Sequence, residues 1–141
     1  MLFDIFFKKE EEVPQSSSRK LDDFDRHLEL TLKIGETYKK RVSDPDAIQK
    51  TVDLCFKQIA LSEKSKQAWI KEDKEIGILE STLPMHKGYT QLCIILEKDK
   101  KFNEVIAFAN KAKDQGWNGD WDKRISRCRK KIIINKKHDK Y

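Results

Sequence analysis

An all-α fold follows from three features of this sequence. Glycine and proline number only five and three in 141 residues, which leaves long stretches without helix breakers. From Leu21 onward apolar side chains recur at steps of three and four, and nowhere is there a sustained period-two alternation. Hydrophobic and charged residues each make up 38% of the chain, as expected of helices with one buried and one solvated face. A chain of this length supports one compact domain with a real core and is short for two.

Residues 1–18 read as a flexible N-terminal arm and linker, an apolar start (MLFDIFF) followed by KKEEEVPQSSS. The apolar piece is too short to span a bilayer and has no small-residue cleavage site, which places the chain in the cytoplasm. Residues 1–7 could dock on the domain, rest on a membrane surface or simply fray. The helical domain spans residues 19–141.

Six helices are expected in that domain. Phe24, Leu28, Thr31, Gly35 and Tyr38 trace one face of the first, which ends near Val42. Ser43-Asp44-Pro45 then reads as a stop and restart, Asp44 capping a second helix that starts at Pro45. That helix would bury Ile48, Val52, Cys55 and Ile59, with Phe56 and Ala60 widening the stripe. Ser62 would cap a third, carrying Ala68, Trp69, Ile76 and Leu79. Ser81 to Pro84 would open the fourth, with Met85, Tyr89, Leu92, Cys93 and Leu96 inward. The fifth would bury Phe102, Val105, Ile106, Ala109 and Ala112 and close at Gly116. Asp120 would cap the sixth, whose inner side carries Trp121, Ile125, Cys128 and Ile132.

The stretch from Tyr89 to Ala112 resembles a tetratricopeptide repeat, a 34-residue helix–turn–helix unit. After Tyr89 come Leu92 at +3, Cys93 at +4, Leu96 at +7, Phe102 at +13, and Val105, Ile106, Ala109 and Ala112 beyond. A degenerate copy, Ile34, Gly35, Tyr38, Ala47 and Ile48, lies 58 residues earlier, which leaves room for one extra helix. The resemblance implies antiparallel helix pairs in a tetratricopeptide-like stack with a concave face that binds a protein or peptide. It implies that Lys87, Thr90, Ile94 and Glu97 line that face. The basic and asparagine set with which some members clamp a peptide carboxylate is absent, Lys87 standing alone.

Chemistry of other kinds is missing from the pattern. The five glycines form no phosphate-binding loop, and His27, His86 and His138 have no metal-ligand spacing, so neither cofactor nor metal is expected. No nucleophile elbow or catalytic dyad is present, which points away from an enzyme. The carboxylates of Asp22, Asp23 and Asp25 suit a helix start better than a metal. Cys55, Cys93 and Cys128 are odd in number and widely spaced, as reduced core thiols are.

Charge is concentrated at one end. Nine basic and two acidic residues fall between Trp121 and Tyr141, so this segment alone exceeds the net +6 of the whole chain. Arg124, Arg127 and Lys131 share a helix face, and the charges there are assigned no part in packing. The segment from Gly116 to Trp121 has two readings. Its tryptophans wedge neighbouring helices together, or Trp117 stands on the surface beside Arg124 and Arg127 as a recognition patch. The function expected is a non-enzymatic adaptor for a protein or peptide that is possibly acidic. The alternative is an electrostatic nucleic-acid or anionic-surface binder acting through the last helix.

Overall fold

A computed structural model describes residues 22–139; the N-terminal arm lies outside them. Six α-helices and one 3-10 turn account for the regular structure among the described residues: α1 Asp23–Lys39, the turn Lys40–Val42, α2 Ala47–Ala60, α3 Ser62–Glu75, α4 Lys87–Lys98, α5 Phe102–Gln115 and α6 Trp121–Asp139. No helix among them is long and apolar enough to cross a membrane.

Helix α1 begins with a reciprocal capping box. The Asp22 carboxylate accepts from the Asp25 backbone N–H at 2.8 Å, and Asp25 returns the contact to Asp22 N–H at 3.4 Å. The acidic cluster is thus a helix start. Its buried stripe is rotated from the expected one. Phe24, His27 and Ile34 point inward, while Leu28 is 48% exposed. Helix α2 starts two residues later than expected, because Asp44 does not cap it. Its carboxylate instead accepts from Asp46 N–H at 2.9 Å and closes a turn. The stripe of α2 is more polar than expected as well. Thr51 and Gln58 are fully buried beside Cys55 and Ile59, whereas Ile48 and Phe56 are 39% and 46% exposed and Ala60 faces solvent.

Only Leu61 separates α2 from α3, and Ser62 is no cap. Its hydroxyl lies 2.9 Å from His86 Nε2 and 3.4 Å from the Gln58 carbonyl. Helix α3 stops before Ile76 and Leu79, which are solvent-exposed. The cause is Gly77, at φ +90, where Ile78 N–H turns back to Asp73 C=O at 2.8 Å in a Schellman closure. Gly116 ends α5 in the same way, as expected. Residues 81–86 are not helical, so α4 opens at His86 rather than at Ser81 to Pro84, and Met85 is exposed. This segment is held by Asn118 N–H on Pro84 C=O at 3.1 Å and by an isolated parallel bridge from Met85 to Asn118.

Helix α1 packs against α2, α3 and α4; α4 packs against α2 and α5; α5 packs against α6. The core runs through all these contacts and includes Ile34, Cys55, Tyr89, Leu92, Val105 and Ile125. All three cysteines are buried and unbonded there. Burial pushes the thiols of Cys55 and Cys93 up to about 12 and about 11, well away from reactivity at neutral pH.

Leu92 is 1% exposed and Thr90, one turn-edge away, is half-buried with its hydroxyl on His86 C=O. In urea unfolding Leu92→Ala should cost about 2–5 kcal/mol. Thr90→Ala should cost less than about 0.5 kcal/mol. Equal costs would mean that α4 faces the other way.

Candidate functional site

Helix α4 is the element around which a site can be built. Tyr89, Gln91, Leu92 and Cys93 are buried, so the opposite edge carrying Lys87, Thr90, Ile94 and Glu97 is left half-buried. All four residues expected on a concave face do share that edge. Its surroundings are fixed by contacts at the last turn. Lys98 Nζ bonds the Tyr38 hydroxyl of α1 at 3.1 Å, while Glu97 is tied to α6. The last turn of α4 therefore lies between α1 and α6.

Glu97 is less a contact surface than a hub. Arg127 grips both its oxygens, Nε on Oε2 at 2.6 Å and a terminal nitrogen on Oε1 at 2.7 Å, and Lys131 adds a bond at 2.9 Å. The Arg124 guanidinium stands 3.6 Å away. The bidentate bond from Arg127, opposed by partial desolvation and aided by Lys131, holds the Glu97 carboxyl down at about 2. The same contact raises the Arg127 guanidinium above its ordinary value. Sequence reasoning treated Glu97 and the basic helix as separate features; the structure brings them together.

That joining corrects two expectations. Arg124 is 7% exposed, with Asp120 at 3.3 Å and Glu97 as its partners, so it is a buried ion rather than a free surface cation. Trp117 is 2% exposed, so the wedge reading holds and the aromatic-plus-basic patch does not exist. The charges of α6 also take part in packing after all. Reversing Arg124 and Arg127 would leave Glu97 among like charges, and removing one partner of a buried pair is destabilising. Arg127 is exposed despite its bond to Glu97, and Lys123, Arg129, Lys130, Lys136 and Lys137 of α6 face solvent as well.

What sequence reasoning missed is a buried ring cluster at the start of α4. Trp117 stacks on His27 with centroids 5.2 Å apart and planes 6° off parallel, and its ring meets His86 edge-on at 4.8 Å. The two histidines touch each other edge-on at 5.0 Å. His86 is also the N-cap of α4, its Nδ1 accepting from Tyr89 N–H at 3.1 Å. Since Nδ1 accepts, the ring proton sits on Nε2 and points to Ser62 Oγ. Burial drives the His27 ring down to about 4. Burial, reinforced by His27, drives His86 to about 3. Both rings are neutral at pH 7 and act as structural partners. The one available signal was their spacing from the aromatics, which becomes meaningful only once the chain is folded.

No protein-family model, curated protein or solved structure matches this chain.

The histidine pair sets a pH dependence. An unfolded chain takes up protons at these residues near pH 6.5, while the folded rings stay neutral down to about 4 and about 3. Across that window the unfolded state binds more protons, so stability falls as pH falls. Glu97 adds a further loss between about 4.5 and about 2. Urea unfolding should therefore show a decline already between pH 6.5 and 5, above the carboxylate range. His86→Asn, which keeps a cap acceptor but cannot titrate, should flatten that decline; an unchanged slope would contradict the assignment.

Proposed function

We propose that this chain is a non-enzymatic protein-binding module of tetratricopeptide-like design, holding a peptide or protein on the face shared by α1, α4 and α6. The observation that carries this reading is the half-open edge of α4. A helix packed on three others leaves Lys87, Thr90 and Ile94 partly exposed, with its last turn anchored to α1 and α6 by Lys98 and Glu97.

Further features support the design. Paired helices α1–α2 and α4–α5 are each in contact, and α1 also contacts α4, as the first helices of successive repeats do. The inserted α3 packs on α1 and accounts for the extra length between the two copies. In α6 the buried set Trp121, Arg124, Ile125 and Cys128 has the same +3, +4, +7 spacing as Tyr89, Leu92, Cys93 and Leu96 in α4. The end of α4 and the turn after it carry Lys98 and Lys100, neither with a carboxylate partner among the described residues, so an acidic partner is favoured electrostatically. Binding to nucleic acid is the competing reading, and it rests on the solvent-facing lysines of α6, because Arg124 is buried and Arg127 and Lys131 are engaged by Glu97.

The test is kinetic. Once a partner has been captured from native lysate and identified by mass spectrometry, Lys87→Glu with Ile94→Asp should speed its dissociation about tenfold or more. Lys130→Glu with Lys137→Glu, both exposed on α6, should slow association and flatten its salt dependence while sparing the off-rate. The reading fails if the α4 pair has no effect and the α6 pair abolishes binding, to plain duplex nucleic acid as well.

A further inference from the structure

A cleft of about 290 Å³ opens between the end of α6 and the α4–α5 connection, lined by Lys98, Lys100, Phe102, Lys131, Ile134 and Asn135 together with Glu97. Its charges are unbalanced. Glu97 is already held by Arg127 and Lys131, and Asp99 pairs with Lys101 at 3.5 Å. Lys98 touches only the neutral Tyr38 hydroxyl, and among the described residues neither it nor Lys100 has a carboxylate partner. One lining side chain is apolar and open to solvent. Lys131 lies over the Phe102 ring at 5.5 Å, and Ile134 is 55% exposed.

We propose that this cleft is an acidic side-chain subsite. It seats a glutamate or aspartate of the bound peptide against Lys98 and Lys100, with an adjoining aliphatic side chain on the exposed Ile134. The inference rests on the partner-binding reading and names the chemistry of one contact in it. The cleft suits a carboxylate on an apolar stem better than a nucleic-acid phosphate. Both nearby arginines, whose forks grip phosphate best, are occupied by Glu97, and Phe102 is too buried to stack a base.

Lys100 also supplies a clean test. It holds φ +59, the left-handed region, at the closure of α4, where Lys101 N–H bonds Leu96 C=O at 2.9 Å. Glycine adopts that conformation without strain, so Lys100→Gly removes the charge and keeps the turn.

The experiment titrates the isotopically labelled full chain with a blocked peptide of alternating leucine and glutamate, followed by amide NMR shifts. Saturable shifts should centre on Lys98, Lys100, Phe102 and Asn135. Replacing glutamate by glutamine in the peptide should weaken binding about tenfold, as should Lys100→Gly, which should melt no lower than the parent. Absent shifts, equal binding of the glutamine peptide, or unchanged binding by Lys100→Gly overturns the subsite. So does a DNA duplex that shifts the same amides at least as strongly. If Lys87→Glu with Ile94→Asp abolishes binding while Lys100→Gly does not, the open face of α4 stands and the subsite falls. The opposite pattern keeps the subsite and removes the α4 edge from the binding face.

Discussion

One side-chain amide holds three helices together. Gln58 of α2 donates to the His27 carbonyl and the Thr31 hydroxyl of α1, both at 2.8 Å, and accepts from Gly88 N–H of α4 at 2.6 Å. A side chain at position 88 would stand 2.8 Å from the Gln58 oxygen and 3.0 Å from the Cys55 carbonyl, so only glycine lets α4 approach α2 this closely. The amide is completely buried, and the Gly88 N–H from which it accepts is a first-turn donor with no helical partner. Seating the first turn of α4 against it places His86 beneath Ser62. The Met85–Asn118 bridge then brings Trp117 over His27, and Trp121 donates to the Trp117 carbonyl at 2.7 Å to start α6.

The candidate face inherits its rigidity from both ends of the same helix. At the start, Gln58 and His86 take up the N–H groups of Gly88 and Tyr89, which a free helix would leave to water. At the end, Glu97 and Lys98 reach sideways to α6 and α1. Between these anchors Lys87, Thr90 and Ile94 sit on a fixed backbone, and a partner bound as proposed would require little ordering of them. The ion cluster around Glu97 also separates the basic charges by role: Arg124 serves the fold, Arg127 and Lys131 hold the carboxylate, and Lys98 and Lys100 have no carboxylate partner among the described residues.

Much of the α4–α5 unit was legible, because its burial is carried by apolar and small residues at fixed spacing. Leu92, Cys93, Phe102, Val105, Ala109 and Ala112 are all buried as expected. The phase of α1 and the stripe of α2 were not. Counting apolar residues selects Leu28 and Ile48, whereas the core takes His27 and Gln58, whose burial depends on partners such as Gly88, 30 residues further on. The helix starts at Asp44 and Ser62 failed for a related reason. Both side chains had other hydrogen-bond partners, one local and one 24 residues away. Arg124 shows the limit of reading charge from sequence, since a buried arginine and an exposed one look alike until Glu97 is placed beside it. The candidate face was legible as a set of residues and illegible as a network.

Native-state hydrogen exchange at the Gly88 and Tyr89 amides tests the central claim most directly. First-turn amides of a helix lack backbone partners and exchange readily unless something else binds them. If Gln58 and His86 hold α4 to the rest of the domain, these two amides should exchange only through global unfolding, with the same free energy as the slowest core amides of α5. Exchange near the unprotected rate, while the core amides stay protected, would show that the buried polar clasp does not hold α4 and that its open face is not a fixed surface.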